Sequence, residues 1–399
     1  MSEPSTPARL PRRLTVVLGL VVVIAFGSWF YGYGVLVQPI VSEEGWSEAT
    51  LTTTYGLGML ASGVGAVLSG RLIDGRGPRP VFLGAGGATA VGTLVTVTAT
   101  SPAVFAVAAV LTQAAVGSAG YYTAVHATIA RLAPRDRTRA ITVNTLWGAF
   151  ASPVFLPLMA LTSQAWGWRG TLAAAGAAVV AVMLLAGLVV PRPADEAPAR
   201  LGLIRGLSRA VADPTVRRLL VTAACGGIAC SVLFLYQVPA MVTAGLALAT
   251  ASTLAGLRGL FQLAGRLPLA WLLARLPAGP LFRGSLVLVG LSTLLLLASG
   301  EIAIAVVFAV AAGVAVGMFT TLESVYTAEV VDLRVVGLAL GAYATARGVG
   351  SAIGPSAAGL LTEATGSRLV ALLLAAAVAV VGALSVPRPR TAPGATMEA

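Results

Sequence analysis

The chain of 399 residues contains no lysine; all 26 of its basic residues are arginine. It has one histidine and two cysteines, and only 10% of its residues are charged, against roughly 25% in a soluble domain. Each shortage excludes a chemistry. Without lysine there is no P-loop amine, no pyridoxal Schiff base and no lysine nucleophile. With one histidine and no HExxH, GxSxG or metal-ligand spacing, no catalytic cluster, metal site or cofactor is expected. Cys225 and Cys230 lie five apart in one apolar segment. They fall on different helix faces and read as small core residues. So few charges cannot cover a water-facing surface, and 57% hydrophobic residues exclude disorder, collagen and a secreted disulfide scaffold. The remaining class is a protein whose main solvent is the lipid bilayer.

Apolar runs of spanning length recur along the whole chain. They fall near 14–40, 49–73, 80–100, 102–130, 140–163, 170–190, 218–242, 249–274, 281–299, 302–327, 336–362 and 367–386. The first follows Arg9, Arg12 and Arg13 and is too long for a signal-peptide core, so it reads as a retained helix. With the N-terminus in the cytoplasm, 21 arginines fall in inner segments and only Arg169 and Arg368 in outer loops. Glu43, Glu44 and Glu48 sit after the first span with no cation among them. This positive-inside asymmetry places both termini in the cytoplasm. It also accounts for most of the net charge of +11, so no nucleic-acid partner is implied. The arginine bias fits a GC-rich bacterial genome and hence the bacterial inner membrane.

One long loop, 191–217, opens with Pro191-Arg192-Pro193 and divides the chain into six spans and six. The expected units are an N-terminal bundle (1–190), a cytoplasmic linker (191–217) and a C-terminal bundle (218–399). The halves are related. Between 39 and 84, 13 of 46 positions carry the same residue 200 further on, including Pro39/Pro239, Gly45/Gly245, Gly56/Gly256 and Gly65/Gly265. An even number of spans per half makes the repeat parallel, with its axis along the membrane normal. The expected fold is all-α, with about 12 transmembrane helices in two six-helix bundles.

Between the second and third spans stands Gly70-Arg71-Leu72-Ile73-Asp74-Gly75-Arg76-Gly77-Pro78-Arg79. This loop resembles the signature of the major facilitator superfamily. Asp74 and Gly77 match; Gly75 replaces the usual basic residue, with Arg76 beside it. The stretch from Ala270 to Arg275 is a degraded second copy, with Ala274 where the aspartate would stand. Gly45-Trp46-Ser47, Gly167-Trp168-Arg169 and Gly354-Pro355 with Gly359 are similar to the branch of monocarboxylate porters and oxalate–formate exchangers. The resemblance implies a transporter that works by alternating access around a midplane site. It also implies that Asp74, with Arg76 and Arg79, latches the two halves on the cytoplasmic side.

Three arginines lie inside expected spans: Arg258, Arg266 and Arg347. A mid-bilayer arginine costs about 2.5–3.5 kcal/mol on insertion scales, so each needs a reason. Helical rise puts Arg258 about 14 Å from the outer end of span 8 and Arg347 about 16 Å from the inner end of span 11. No acidic residue is expected at that depth. The missing counter-charge is then an anionic substrate gripped by guanidinium forks, a role that the exchanger branch gives to cations on the same two helices. Backbone carbonyls or Glu323 are the alternative partners. Gln262 follows Arg258 by one turn, and Tyr343 precedes Arg347 by one turn. Arg266 is expected to snorkel to the interface. Tyr33, Gln113, Tyr122, Asn144, Tyr236 and Gln237 are candidate pocket walls. Glu323, about 31 Å along span 10, reads either as a proton or gating site or as a solvated helix end. His126 reads either as a coupling group or as a satisfied interfacial histidine.

The expected function is secondary transport of a small organic anion, a mono- or dicarboxylate, by a monomer, with proton symport, exchange and uniport all open. The rivals are efflux of hydrophobic or drug-like compounds by the same architecture and a solute sensor that binds without moving its ligand.

Overall fold

The computed structural model describes residues 10–133, 136–191, 213–331 and 336–388, apart from the side chains of Asp74, Arg137, Thr138, Thr142, Ala270, Ala328 and 336–341. Asp74 as a latch therefore lies outside the described side chains. Arg76 is exposed and Arg79 half-buried. Among the described residues there is no strand, and the helices run as α1 (Arg12–Glu44), α2 (Glu48–Arg76), α3 (Arg79–Thr98), α4 (Pro102–Gly120 and Tyr122–Leu132), α5 (Arg137–Gly148, resuming over 151–166), α6 (168–189), α7 (Pro214–Thr243), α8 (Leu248–Arg266), α9 (Ala278–Leu295), α10 (Ile302–Val330), α11 (Val336–Thr365) and α12 (Arg368–Ser385). The eighth span stops at Arg266, short of the expected 274, because Pro268 interrupts it; a short turn, Leu269–Leu273, follows. Among the described residues, nine segments are long and apolar enough to cross a membrane, one of them the continuous Arg139–Val189 stretch. Helices α8 and α11 are not among the nine. They carry Arg258 and Arg347.

The two Gly-Trp signatures form one structure. Gly45 ends α1 at φ 68°, and Gly167 separates α5 from α6 at φ 66°. Both are left-handed positions that favour glycine. Ser47 then caps α2 by accepting the Thr50 amide at 3.1 Å. Trp46, Trp168 and Phe105 bring their rings together at 5.1–6.1 Å. The Trp168 indole donates to Glu44 at 3.1 Å, and Arg169 bonds the same carboxylate. The carboxylate expected in the outer loop is thus a tie between the α1–α2 and α5–α6 turns.

The internal repeat has a packing reason. A Cβ on Gly56 would lie 2.4 Å from the Ala352 carbonyl oxygen of α11, and one on Gly256 would lie 3.1 Å from Pro153 of α5. Gly65 and Gly265 stand in the same way against α4 and α10. The 200-residue offset therefore converts the α2–α11 crossing into the α8–α5 crossing. Two small residues at each site let the backbones approach, which is how helices associate in lipid.

These crossings lie toward the end of the molecule away from the termini. Gly359 abuts Thr52, and Gly34 abuts the Leu235 carbonyl at the same end. The α11-facing side of α2 runs on through Leu60, Gly63 and Val67 by helical spacing. There Leu60 and Val67 are exposed, and nothing lies within 4 Å of Gly63. On α11 the same holds for Gly348 and Val349. The two bundles are packed at the far end and splayed at the termini end.

Gly56→Leu is expected to destabilise this packed arrangement by about 1–3 kcal/mol through overpacking. It should lower the thermal unfolding midpoint in detergent, whereas Gly63→Leu should leave the midpoint unchanged. Equal effects would remove the crossing's special role.

Candidate functional site

The site is built where α1, α7 and α8 meet between the bundles. In the middle of α1 the hydrogen bonding changes from i→i+4 to i→i+5 over Phe26–Tyr31, and the Gly32 amide reaches the Gly27 carbonyl at 2.9 Å. Such single π-turns re-aim side chains and recur at functional sites. Here the turn places Phe26, Phe30 and Tyr31, all partly exposed, on the inter-bundle side and buries Trp29 behind them. Helix α4 is broken at Tyr121, which is extended (φ −87°, ψ 168°). The break stacks Tyr121 on Phe26 at 4.5 Å and sets Tyr122 at 4.9 Å from the same ring. Phe234 of α7 completes the group, 5.8 Å from Phe30 and 5.6 Å from Tyr31.

Arg258 caps this aromatic group. It is fully buried, and its guanidinium carbon lies 4.6 Å from the Phe234 centroid and 5.7 Å from that of Tyr31. Close packing of α8 on α10 directs the side chain away from α10: a Cβ on Gly313 would meet the Arg258 carbonyl oxygen at 2.5 Å. Nε donates to Gln237 at 2.8 Å. The Gln237 amide donates in turn to the Phe234 carbonyl at 3.0 Å, so the glutamine is held in place. Both Nη atoms are buried and make no hydrogen bond of good geometry; the Tyr31 hydroxyl is a polar neighbour of the guanidinium. The donors of a charged group are therefore incompletely satisfied and have no counter-ion among the described residues, which is costly in a low-dielectric setting.

Arg347 is different. It donates to Glu323 at 2.7 Å, so the expectation of two unpaired cations is corrected: one of the pair has an internal counter-ion. Glu323 is not a solvated helix end; its side chain is 12% exposed, and Oε2 has no hydrogen bond. Measured from the termini end, Glu323 is about 10 Å up α10 and Arg347 about 16 Å up α11, a gap that an arginine bridges. The Tyr343 hydroxyl is buried beside them and interacts with the Glu323 carboxylate. Arg266 is not free at the interface; Nη2 donates to Thr320 at 3.2 Å, one turn before Glu323. Cys230 and Tyr31 lie within electrostatic range of both Arg258 and Arg347.

Other candidates divide. The Tyr33 hydroxyl donates to the Leu51 carbonyl at 2.9 Å and ties α1 to α2. Tyr236 faces Thr362 at 3.4 Å near the far end. Neither belongs to the aromatic group. Tyr122 does, with its hydroxyl 3.3 Å from the Thr145 carbonyl and its ring stacked on His126. His126 interacts with the buried amide of Asn144. Gln113 is buried and its amide interacts with the Tyr121 hydroxyl. Gln262, 9% exposed, lies one turn from Arg258. Sequence reasoning missed Phe26, Phe30, Tyr31, Tyr121 and Phe234. The clue available was their density: four aromatic residues in Phe26–Tyr31 and two more at Tyr121-Tyr122.

The Major Facilitator Superfamily pattern matches residues 18–254 and again 219–398. The chain belongs to this superfamily. It is accordingly a multi-pass membrane transporter rather than an enzyme. None of the curated proteins matches it in sequence. Among solved structures it is similar to the nucleoside transporter NupG, both in a single-residue mutant form (TM-score 0.79, 15% identity, covering 94% of this chain and 98% of that one) and without the mutation (TM-score 0.76, 14% identity, the same coverage). It is also similar to a bacterial homologue of the human lysosomal transporter Spinster in an inward-facing and unoccupied conformation (TM-score 0.70, 16% identity, covering 99% and 100%). At these identities the likeness is one of fold.

In a Major Facilitator Superfamily transporter the bundles rock about a central site. The far end of this one is fastened by a fork that the sequence reading placed only in outer loops. Arg368, at the start of α12, donates through Nε to Glu48 at 3.0 Å and through Nη2 to the other oxygen at 2.5 Å. Its Nη1 bonds Thr243 and the Pro239 carbonyl of α7. Glu48 opens α2, so the fork joins the two bundles. Arg368→Gln is expected to raise, severalfold, the maleimide labelling rate of a cysteine at Thr52 in a Cys225→Ala/Cys230→Ala background. An unchanged rate would mean that the fork holds nothing closed.

Proposed function

We propose that this chain carries a small organic anion across the membrane, with its carboxylate on Arg258. The observation that supports this is the fully buried guanidinium at the bundle interface, whose two Nη atoms make no hydrogen bond of good geometry. A bidentate carboxylate would satisfy those donors and supply the counter-charge. Gln237 orients the arginine, Gln262 lies one turn away, and Tyr122 belongs to the wall. With the termini in the cytoplasm, as the arginine distribution indicates, the splayed end faces the cytoplasm of a bacterial cell. Binding would then complete the electrostatics of the interface and favour closure around the substrate.

The efflux alternative leaves the Arg258 charge without a partner when a neutral drug is bound, which weighs against it. NupG is named as a nucleoside transporter; it shares the fold at 15% identity, and a neutral nucleoside meets the same objection.

Glu323 is the coupling group on this reading. A half-paired carboxylate above the splayed vestibule can exchange a proton with the cytoplasm, and protonation would release Arg347.

Two experiments test the proposal. In proteoliposomes loaded with pooled small carboxylates, Arg258→Gln should slow labelled counterflow at least about 30-fold, since losing one partner of a buried charge pair costs roughly 2 kcal/mol or more. Counterflow at the intact rate would sink the assignment. Glu323→Gln keeps an acceptor for Arg347 and should retain counterflow while losing accumulation driven by a pH gradient. Accumulation that persists would make the Glu323–Arg347 pair purely structural.

A further inference from the structure

The aromatic group and the paired state of Arg347 together narrow the anion. We infer that the substrate is a flat, aromatic monoanion: one carboxylate on Arg258 and a planar body lying among Phe26, Phe30, Tyr31, Tyr121 and Phe234. The inference rests on the organic-anion reading and goes beyond it in charge number and shape.

Charge number follows from how the cations are disposed. Arg258 is the one whose guanidinium touches the aromatic wall, at 4.6 Å from Phe234 and 5.7 Å from Tyr31. Arg347, which a second carboxylate would need, already holds Glu323 at 2.7 Å. Arg266 lies two turns from Arg258, about 12 Å along α8, and its Nη2 is bonded to Thr320. A dianion would have to displace Glu323 or leave its second charge among rings. A monoanion does neither.

Shape follows from the walls. Within the group, ring centroids lie 4.5–6.4 Å apart in stacked, tilted and edge-on pairs. Those are the spacings of rings already in contact, so a further ring would stack on their exposed faces rather than between them. With Tyr122 included, the rings come from three helices and both bundles, and all but Phe234 are partly exposed. An aliphatic acid would gain burial from such a wall, but not the directional ring contacts. A flat body also leaves the Arg258 face over Phe234 intact, so the cation–π contact and the carboxylate fork can coexist.

The test is binding to the purified full chain in detergent at pH 7.5, read by calorimetric titration and by the shift in unfolding midpoint. The panel is benzoate, 2-naphthoate, cyclohexanecarboxylate, benzamide, terephthalate and succinate. Benzoate and naphthoate should bind at least tenfold tighter than cyclohexanecarboxylate, terephthalate and succinate, and benzamide should not bind. Phe234→Leu should weaken both acids but benzoate more, cutting the benzoate-to-cyclohexanecarboxylate affinity ratio about tenfold; an unchanged ratio would overturn the ring-contact requirement. Tighter binding of terephthalate or succinate would overturn the monoanion inference while leaving the organic-anion reading standing. Equal binding of cyclohexanecarboxylate and benzoate would overturn the planar requirement alone. Benzamide binding as well as benzoate, or no binding by any carboxylate, would overturn the anion reading and this inference with it.

Discussion

A guanidinium held away from water between two helical bundles is the constraint around which the rest of the structure is arranged. Arg258 cannot lose its charge at any ordinary pH, so the surroundings must accommodate it. Gln237 accepts one N–H, and Phe234 and Tyr31 offer ring faces. Two nitrogens remain without a hydrogen bond of good geometry. No hydrophobic substitution at Gln237 or Phe234 is neutral in such a setting, because each removes part of a solvation shell that water does not replace. The glycine at 313 serves the same end. It lets α8 press against α10, so that the long side chain extends toward α1 and α7, where the partners are.

Rigid packing and unfinished polarity are kept apart along the membrane normal. At the far end the bundles touch through small residues, and the Glu48–Arg368 fork joins charges of opposite sign across the interface. Toward the termini the same helix faces diverge, and the polar groups there, Glu323, Arg266, Tyr343, Asn144 and His126, are only partly bonded. A transporter needs both. The finished contacts define one end state, and the unfinished ones leave free energy that a ligand or a proton can supply. The ion pair at the far end is more than a surface pair. It is bidentate, half-shielded, and braced by Thr243 and Pro239, features that distinguish it from exposed pairs of little net value.

Much of this was legible in the sequence, because bilayer thickness and helical rise leave little freedom. The spans, the two-bundle fold and the glycine–tryptophan turns follow from apolar length and from residue types with one conformational use. The repeat was legible because Gly56 and Gly256 meet the same steric demand at equivalent crossings. The Glu323–Arg347 pair was misjudged for a geometric reason. Depth along α10 was counted from the far end and along α11 from the near one, while the two residues are only about 6 Å apart in height when both are counted from the termini. Tyr33 was named as a candidate wall and Tyr31 was not. The π-turn at Phe26–Tyr31 shifts the register, sending Tyr31 to the interface and Tyr33 to the Leu51 carbonyl. Hydrophobic periodicity carries no signal for a single i→i+5 turn.

The two buried arginines separate what an internal counter-ion does from what its absence does. Arg347 and Glu323 supply each other's counter-charge through one Nη1–Oε1 contact, so their pair can stabilise one arrangement of α10 against α11 without a ligand. Arg258 has no such partner among the described residues within hydrogen-bond reach. Its electrostatic cost stays with the protein until a charge arrives, and it falls most in the state that excludes water best. A ligand carrying that charge therefore has a differential affinity for the closed state, the only property by which binding can shift a conformational equilibrium. A neutral ligand of the same shape would gain packing in both states and shift far less. On the proposed reading, then, the pairing of Arg347 and the lack of a counter-ion at Arg258 are not redundant features of one charged cavity: the first would hold a conformation, and the second would make changing it depend on an anion.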